Sequence, residues 1–236
     1  MSHTMNNSSI KSPIILALDS SDVSSVLSMI SKTKEFVAVY KLGLEFYLSQ
    51  GLSGVSEIQE VHPEVKIFLD LKLHDIPNTV RGACKSIASL NPYILTVHAA
   101  GGAEMIRGAA GVLPNTLITA VTVLTSLDAA QLKVMGLPDD PTTLAVTLAK
   151  NAVENGARAI VCSPLEVAQI KATVGDKAVL ITPGVRMATS SSDDQKRVMT
   201  PAQAIAAGSD YLVIGRPITG ATDPHLAAAD IFASIK

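Results

Sequence analysis

Residues 66–80 read KIFLDLKLHDIPNTV. The stretch opens as an apolar strand, and a side-chain period of two points Phe68, Asp70 and Lys72 to one face and Leu69 and Leu71 to the other. Two opposite charges therefore share a face where a strand runs out. Taking a carboxylate and an ammonium out of water is costly and is offset only by good geometry, so such a pair usually has a use. A lone D-x-K is as readily a structural ion pair as a site. Here a third charge, Asp75, follows at once in a segment where Pro77 and Asn78 suit a turn leading into a helix, and this tilts the reading toward chemistry.

The same strand-then-helix grammar repeats on both sides of this stretch. Eight short β-branched runs are expected as strands: Ile14–Asp19, Val37–Gly43, Lys66–Lys72, Tyr93–His98, Thr116–Leu124, Arg158–Cys162, Ala178–Thr182 and Tyr211–Gly215. Helices fit at Val23–Thr33, Leu52–His62, Thr79–Leu90, Ala103–Val112, Thr142–Asn155, Pro164–Thr173, Pro201–Ala207 and near Pro224–Ser234. Eight units without a composition break predict a single-domain α/β protein, a (β/α)8 TIM barrel over residues 12–236. In that fold chemistry gathers where strands run into βα loops. The polar residues obey the rule: Asp19 ends the first strand, Lys41 the second, Asp70 and Lys72 the third and His98 the fourth. Thr125 follows the fifth, Arg186 the seventh and Arg216 the eighth. A doubly wound sheet would gather the same strand ends on one edge, so the site expectation does not depend on the topology.

Composition agrees. With 236 residues, 47% hydrophobic but only 3% aromatic and no Trp, the core must be built from Val, Ile, Leu and Ala, as in parallel strands buried on both faces. Nineteen Lys and Arg against 21 Asp and Glu give a formal charge of −2, so no global field favours nucleic acid or an anionic membrane. No apolar run approaches the ~20 residues of a membrane span, which points to a cytoplasmic protein. Cys84 and Cys162 lack a CxxC or a nearby His pattern and read as small buried apolar side chains. Residues 1–11, rich in Ser, Asn and Thr, read as a disordered leader.

Two further stretches bear on function. Tyr211–Ile218, YLVIGRPI, is an apolar strand ending in Gly-Arg-Pro: Gly215 lets the backbone approach an anion, Pro217 suits a helix start, and Arg216 offers a bidentate fork. This outlines a phosphate site, although a plain strand-to-helix turn would use the same Gly and Pro. After the seventh strand runs TPGVRMATSSSDDQKRVMTPAQ, far longer than the ~2–6 residues usual for such a loop. Its length predicts a lid over residues 183–199, from which Arg186, Gln195 and Arg197 could reach a phosphate or an amide. Asp19 and Lys41 extend the Asp70, Lys72 and Asp75 set into an alternating series of charges at the barrel mouth. His98 has no nucleophile elbow to serve and reads as a structural or supporting residue, while His62, His74 and His225 read as surface residues. No dinucleotide, P-loop or zinc-protease motif is found.

Taken together, DLKLHDIPNT, TPGVR, Gln195 in DDQKR and the terminal IGRPI resemble the orotidine 5'-phosphate decarboxylase family in its compact bacterial form, without a fused phosphoribosyltransferase. The resemblance runs from Pro13 to the C-terminus. It implies conversion of orotidine 5'-phosphate to uridine 5'-phosphate and carbon dioxide in pyrimidine biosynthesis, no cofactor, no metal, and a homodimer. It further implies a catalytic array of Asp70, Lys72, Asp75 and Lys41 with Lys72 as proton donor. Asp75, Ile76 and Thr79 would be donated to the neighbouring subunit's site. Asp19 and Lys41 would hold the ribose hydroxyls, Thr125 would face the pyrimidine, and Arg186, Gln195, Gly215 and Arg216 would bind the phosphate. Metal-dependent decarboxylases of sugar phosphates, such as those acting on 3-keto-gulonate 6-phosphate, also carry D-x-K-x-x-D. The IPNT continuation and the Gln195-bearing loop favour the nucleotide. A non-catalytic pyrimidine-sensing barrel is the rival from another class, and the presence of both Asp70 and Lys72 argues against it.

Overall fold

Short runs of Val, Ile and Leu can bury both faces of a strand only if helices cover one side and a closed interior the other, and the chain does both. In the computed structural model, which describes residues 12–185 and 199–235, the strands are β1 (Ile14–Leu18), β2 (Val39–Gly43), β3 (Ile67–Leu73), β4 (Ile94–His98), β5 (Leu117–Val121), β6 (Ala159–Val161), β7 (Val179–Thr182) and β8 (Tyr211–Ile214). They pair in parallel in chain order, and β1 pairs with β8 to close the barrel. The helices are α1 (Val23–Thr33), α2 (Leu44–Val61), α3 (Pro77–Ser86), α4 (Gly102–Val112), α5 (Ala129–Val134), α6 (Pro141–Glu154), α7 (Val167–Val174), α8 (Pro201–Ala206), α9 (Arg216–Thr219) and α10 (Pro224–Ser234). The expected (β/α)8 TIM barrel is the observed fold.

The core has two layers. Inside the barrel, each strand gives one residue to a plug of Ile15, Val39, Phe68, Ile94, Leu117, Ala159, Ile181 and Tyr211. Outside it, the alternate strand positions, among them Leu16, Leu42, Leu69, Leu71 and Leu95, pack against the helices. Period two then fixes what stands above the plug toward the C-terminal strand ends. Ala17 and Asp19 follow Ile15, Lys41 follows Val39, Asp70 and Lys72 follow Phe68, and Val213 and Gly215 follow Tyr211. All of these residues but the plug members Ile15, Val39 and Tyr211 line one cavity, with Phe68 forming part of its floor.

The departures from expectation have local causes. The fifth strand stops at Val121, three residues short, because Val123 and Leu124 leave the ladder to line the cavity. Helix α2 begins at Leu44, not Leu52: Gly51, with φ 60°, kinks the helix without ending it. Helix α3 starts two residues early, with Pro77 in the first turn where its missing N–H costs nothing. Helix α7 starts at Val167 because the buried Glu166 carboxylate accepts the Ser163 N–H and holds the preceding turn. Helix α5 was not expected. Asp128 and Gln131 cap it reciprocally, Gln131 N–H to Asp128 Oδ1 at 3.0 Å and Asp128 N–H to Gln131 Oε1 at 3.1 Å. Lys41 lies inside β2 and does not end it.

Candidate active site

The cavity at the C-terminal end of the barrel holds about 320 Å³, within the range of small-ligand pockets. Four of its residues form one line of alternating charge. Lys41 Nζ lies 3.3 Å from Asp19 Oδ1 and 3.5 Å from Asp70 Oδ2, and Lys72 Nζ lies 2.9 Å from each Asp70 oxygen. Side-chain exposure is 11% and 12% at Lys41 and Asp70 but 34% at Lys72 and 63% at Asp19, so the middle of the line is sealed while its two ends, the Lys72 ammonium among them, open to the cavity.

Asp70 is the hub. Burial alone would push its carboxyl up, but Lys41, Lys72 and hydrogen bonds from Lys72 and Thr96 outweigh that, and the net displacement is below the ordinary carboxylate value. Near neutral pH it is therefore an anion. Lys72 sits where β3 and β4 lose register between Leu69 and Leu73, and its φ of 47° lies in the left-handed region that side chains other than glycine avoid. Such a conformation costs about 1–3 kcal/mol and persists only where its surroundings enforce it.

Arg216 opens α9 with Pro217 beside it, and both Gly215 and Arg216 line the cavity at the end of β8. An added Cβ at 215 would meet Ala17 Cβ at 3.5 Å, an ordinary contact. The open side of that residue is the cavity. Thr125 lines the same space, four residues beyond the end of β5.

Asp75, Ile76 and Thr79 do not reach this cavity within their own chain. All three are exposed, Ile76 at 66%, and the Asp75 carboxylate accepts the Ile76 N–H at 2.6 Å. Arg186, Gln195 and Arg197, and with them the expected lid, lie outside the described residues, as does the 1–11 leader. The residues flanking that loop, Val185 and Met199, are joined by a parallel bridge.

Among the histidines, His98 supports the site from β4, with its ring 5.1 Å from that of His74. Burial first, then His74 and Lys72, hold it below the ordinary imidazole value, so it is neutral near pH 7 and adds no cation to the line. His62 departs from the surface reading: it is buried, between Ser31 Oγ at 3.2 Å and Glu64 at 3.4 Å. Cys84 and Cys162 are buried as expected, and burial pushes the Cys84 thiol up to about 11. Among the described residues no group of three or more His, Cys, Asp or Glu is placed to hold a metal ion.

One participant escaped the sequence reading. Thr96, fully buried on β4, donates to Asp70 Oδ1 at 2.9 Å and accepts the Lys72 N–H at 2.9 Å. The signal was present, since Thr96 is a polar residue inside the apolar YILTVH run and in phase with Ile94 of the plug.

A closed parallel barrel with a line of paired charges and a Gly-Arg turn at its strand ends defines a TIM-barrel enzyme built to hold an anionic small molecule and act on it through charge. Comparison with known proteins names it more closely. The chain belongs to the Orotidine 5'-phosphate decarboxylase / HUMPS family, whose model matches residues 12–231. It is 51% identical to the orotidine 5'-phosphate decarboxylase of Thermobifida fusca, over 95% of this chain and 96% of that one. It is 44% identical to the protein of the same name from Frankia casuarinae, over 95% and 88%. The crystal structure of orotidine 5'-phosphate decarboxylase from Lactobacillus acidophilus superposes with a TM-score of 0.82 at 35% identity, covering 95% of this chain and 99% of that chain.

Proposed function

We propose that this protein decarboxylates orotidine 5'-phosphate to uridine 5'-phosphate in pyrimidine biosynthesis, without a cofactor, with Lys72 as the proton donor. The observation that carries the reading is the Lys72 ammonium, held by both oxygens of a buried, ionised Asp70 and lining a cavity that Arg216 also lines.

Breaking the bond between carbon six and its carboxylate leaves the electron pair in an orbital in the ring plane, out of conjugation with the base. Only nearby charge can stabilise it. Opposite unit charges about 4 Å apart attract by roughly 4 kcal/mol at an effective dielectric of 20, and exclusion of water raises that figure. Lys72 supplies the cation and then gives its proton to carbon six, while carbon dioxide leaves with the old carboxylate oxygens. Asp70, beside the departing carboxylate, disfavours the bound ground state and fixes the lysine. Asp19 and Lys41 take the ribose hydroxyls, Thr125 faces the base, and Gly215 and Arg216 take the phosphate, joined by Arg186 and Gln195. Phosphate binding far from the reacting carbon thereby contributes to assembling the site.

The active species in this reading is a homodimer in which Asp75, Ile76 and Thr79 complete the partner's site, extending the charge line past Lys72. Its support is the exposure of these three residues beside, and not within, their own chain's cavity. Among the described residues no helix is long and apolar enough to cross a membrane, and we place the enzyme in the cytoplasm. Ultraviolet monitoring of orotidine 5'-phosphate tests the reading directly. Consumption that persists with a chelator supports it. Turnover of a sugar phosphate that needs a divalent metal, with orotidine 5'-phosphate untouched, would assign the protein to the other branch of its family.

A further inference from the structure

The β3 and β4 ladder is broken between Leu69 and Leu73, so the Lys72 N–H points to β4 without a backbone carbonyl in register. A side chain takes that place. Thr96 Oγ1 accepts the Lys72 N–H at 2.9 Å and spends its single proton on Asp70 Oδ1 at 2.9 Å. One hydroxyl therefore fixes both the backbone under the cation and the carboxylate that holds the cation's head.

The hydroxyl is fully buried and competes with no water. A methyl in its place would leave the Lys72 N–H and one lone-pair direction of Asp70 unserved, in a segment already bent to a φ of 47°. Thr119 provides an internal contrast. It is the register partner of Thr96 on β5, equally buried, but among the described residues its hydroxyl bonds only the Leu117 carbonyl of its own strand, at 3.0 Å, and no charged group.

We infer that Thr96 is a positioning residue of the decarboxylase site: its hydroxyl couples the bulge carrying Lys72 to Asp70 and so sets the direction of the ammonium toward the cavity. This role rests on the proposed decarboxylation. It belongs to the chemical step and not to nucleotide binding, because Thr96 bonds the Asp70 carboxylate and the backbone N–H of Lys72, and does not line the cavity where phosphate and ribose would sit.

The test compares Thr96→Val, Thr96→Ser and Thr119→Val in steady-state decarboxylation of orotidine 5'-phosphate, with uridine 5'-phosphate affinity measured separately. Thr96→Val should lower kcat by about 10- to 100-fold, the cost of losing hydrogen bonds to a charged group, while KM and nucleotide affinity stay within about threefold. The acid limb of its kcat/KM profile should move to higher pH, because Asp70 loses a donor to its charged form. Thr96→Ser should recover to within about threefold of wild type, and Thr119→Val should match wild type. Should Thr96→Val not fold, Thr96→Ala is read by the same criteria. A folded Thr96→Val or Thr96→Ala with wild-type kcat, or a Thr96→Ser as impaired as the valine variant, overturns the role while leaving the decarboxylase reading intact. A wild-type protein that does not turn over orotidine 5'-phosphate overturns that reading itself.

Discussion

The strand that carries Asp70 and Lys72 and the turn that follows it are five residues apart in sequence and opposite in character. In the strand, every charged atom has a partner: Asp70 is held by Lys41, Lys72 and Thr96, and its side chain is 12% exposed. In the turn, Asp75 and Ile76 project outward, and the Asp75 carboxylate engages its neighbour's amide. The first region is complete within one chain. The second has the chemistry of a site but no site to face, which is the physical reason for reading it as a contribution to a second copy. The contrast also shows why strain is tolerated at Lys72: a barrel plug below it and Thr96 beside it hold the bulge, whereas the exposed turn has no comparable support.

Substitutions at the two regions should separate them. Lys72→Ala should have the largest effect, lowering kcat by about 10⁴-fold by removing both the cation and the acid while nucleotide affinity persists, as checked by turnover alongside uridine 5'-phosphate titration. Normal turnover by this variant would remove the proton donor from the account. Asp75→Asn should cost about 10³-fold in kcat, although in an isolated chain the residue touches nothing in the cavity. Arg216→Ala should lower kcat/KM by about 10²-fold through binding and turnover together, and a substrate lacking its phosphate should be largely indifferent to the change. The smallest effect concerns stability. The Asp70 carboxyl lies below its unfolded value of 3.8, so its contribution is present above that value and lost as pH falls through the lower folded value. The melting-temperature gap between wild type and Asp70→Asn should therefore narrow between pH 5 and about pH 3; a gap that widens on acidification would show that Asp70 is not stabilised as an anion.

Much of this was legible in the chain because two periods are rigid. Alternation along the third strand puts Asp70 and Lys72 on one face, and the structure brings Asp19 and Lys41 to the same cavity. What escaped depends on contacts between distant residues. The register break at Lys72 arises between β3 and β4, and Thr96 gains its meaning only from standing across that break, 24 positions away. The expected helix Leu52–His62 covers only the part of α2 beyond the Gly51 kink; Phe46 before the kink and Val55 and Ile58 after it are all buried. Helix α5 carries a capping box at Asp128 and Gln131, but six residues are too few to show a helical period. His62 reads as a surface residue because it ends a helix, whereas its burial rests on a contact with Ser31, 31 positions away.

The central claim is that each site draws Lys72 from one chain and Asp75 from the other, and mixing inactive chains tests it most directly. Lys72→Ala and Asp75→Asn proteins, each inactive alone, should after verified subunit exchange at equal concentrations regain about a quarter of wild-type activity, since half the dimers are hybrids and each hybrid rebuilds one of its two sites. Hybrid dimers that form and remain inactive would contradict it.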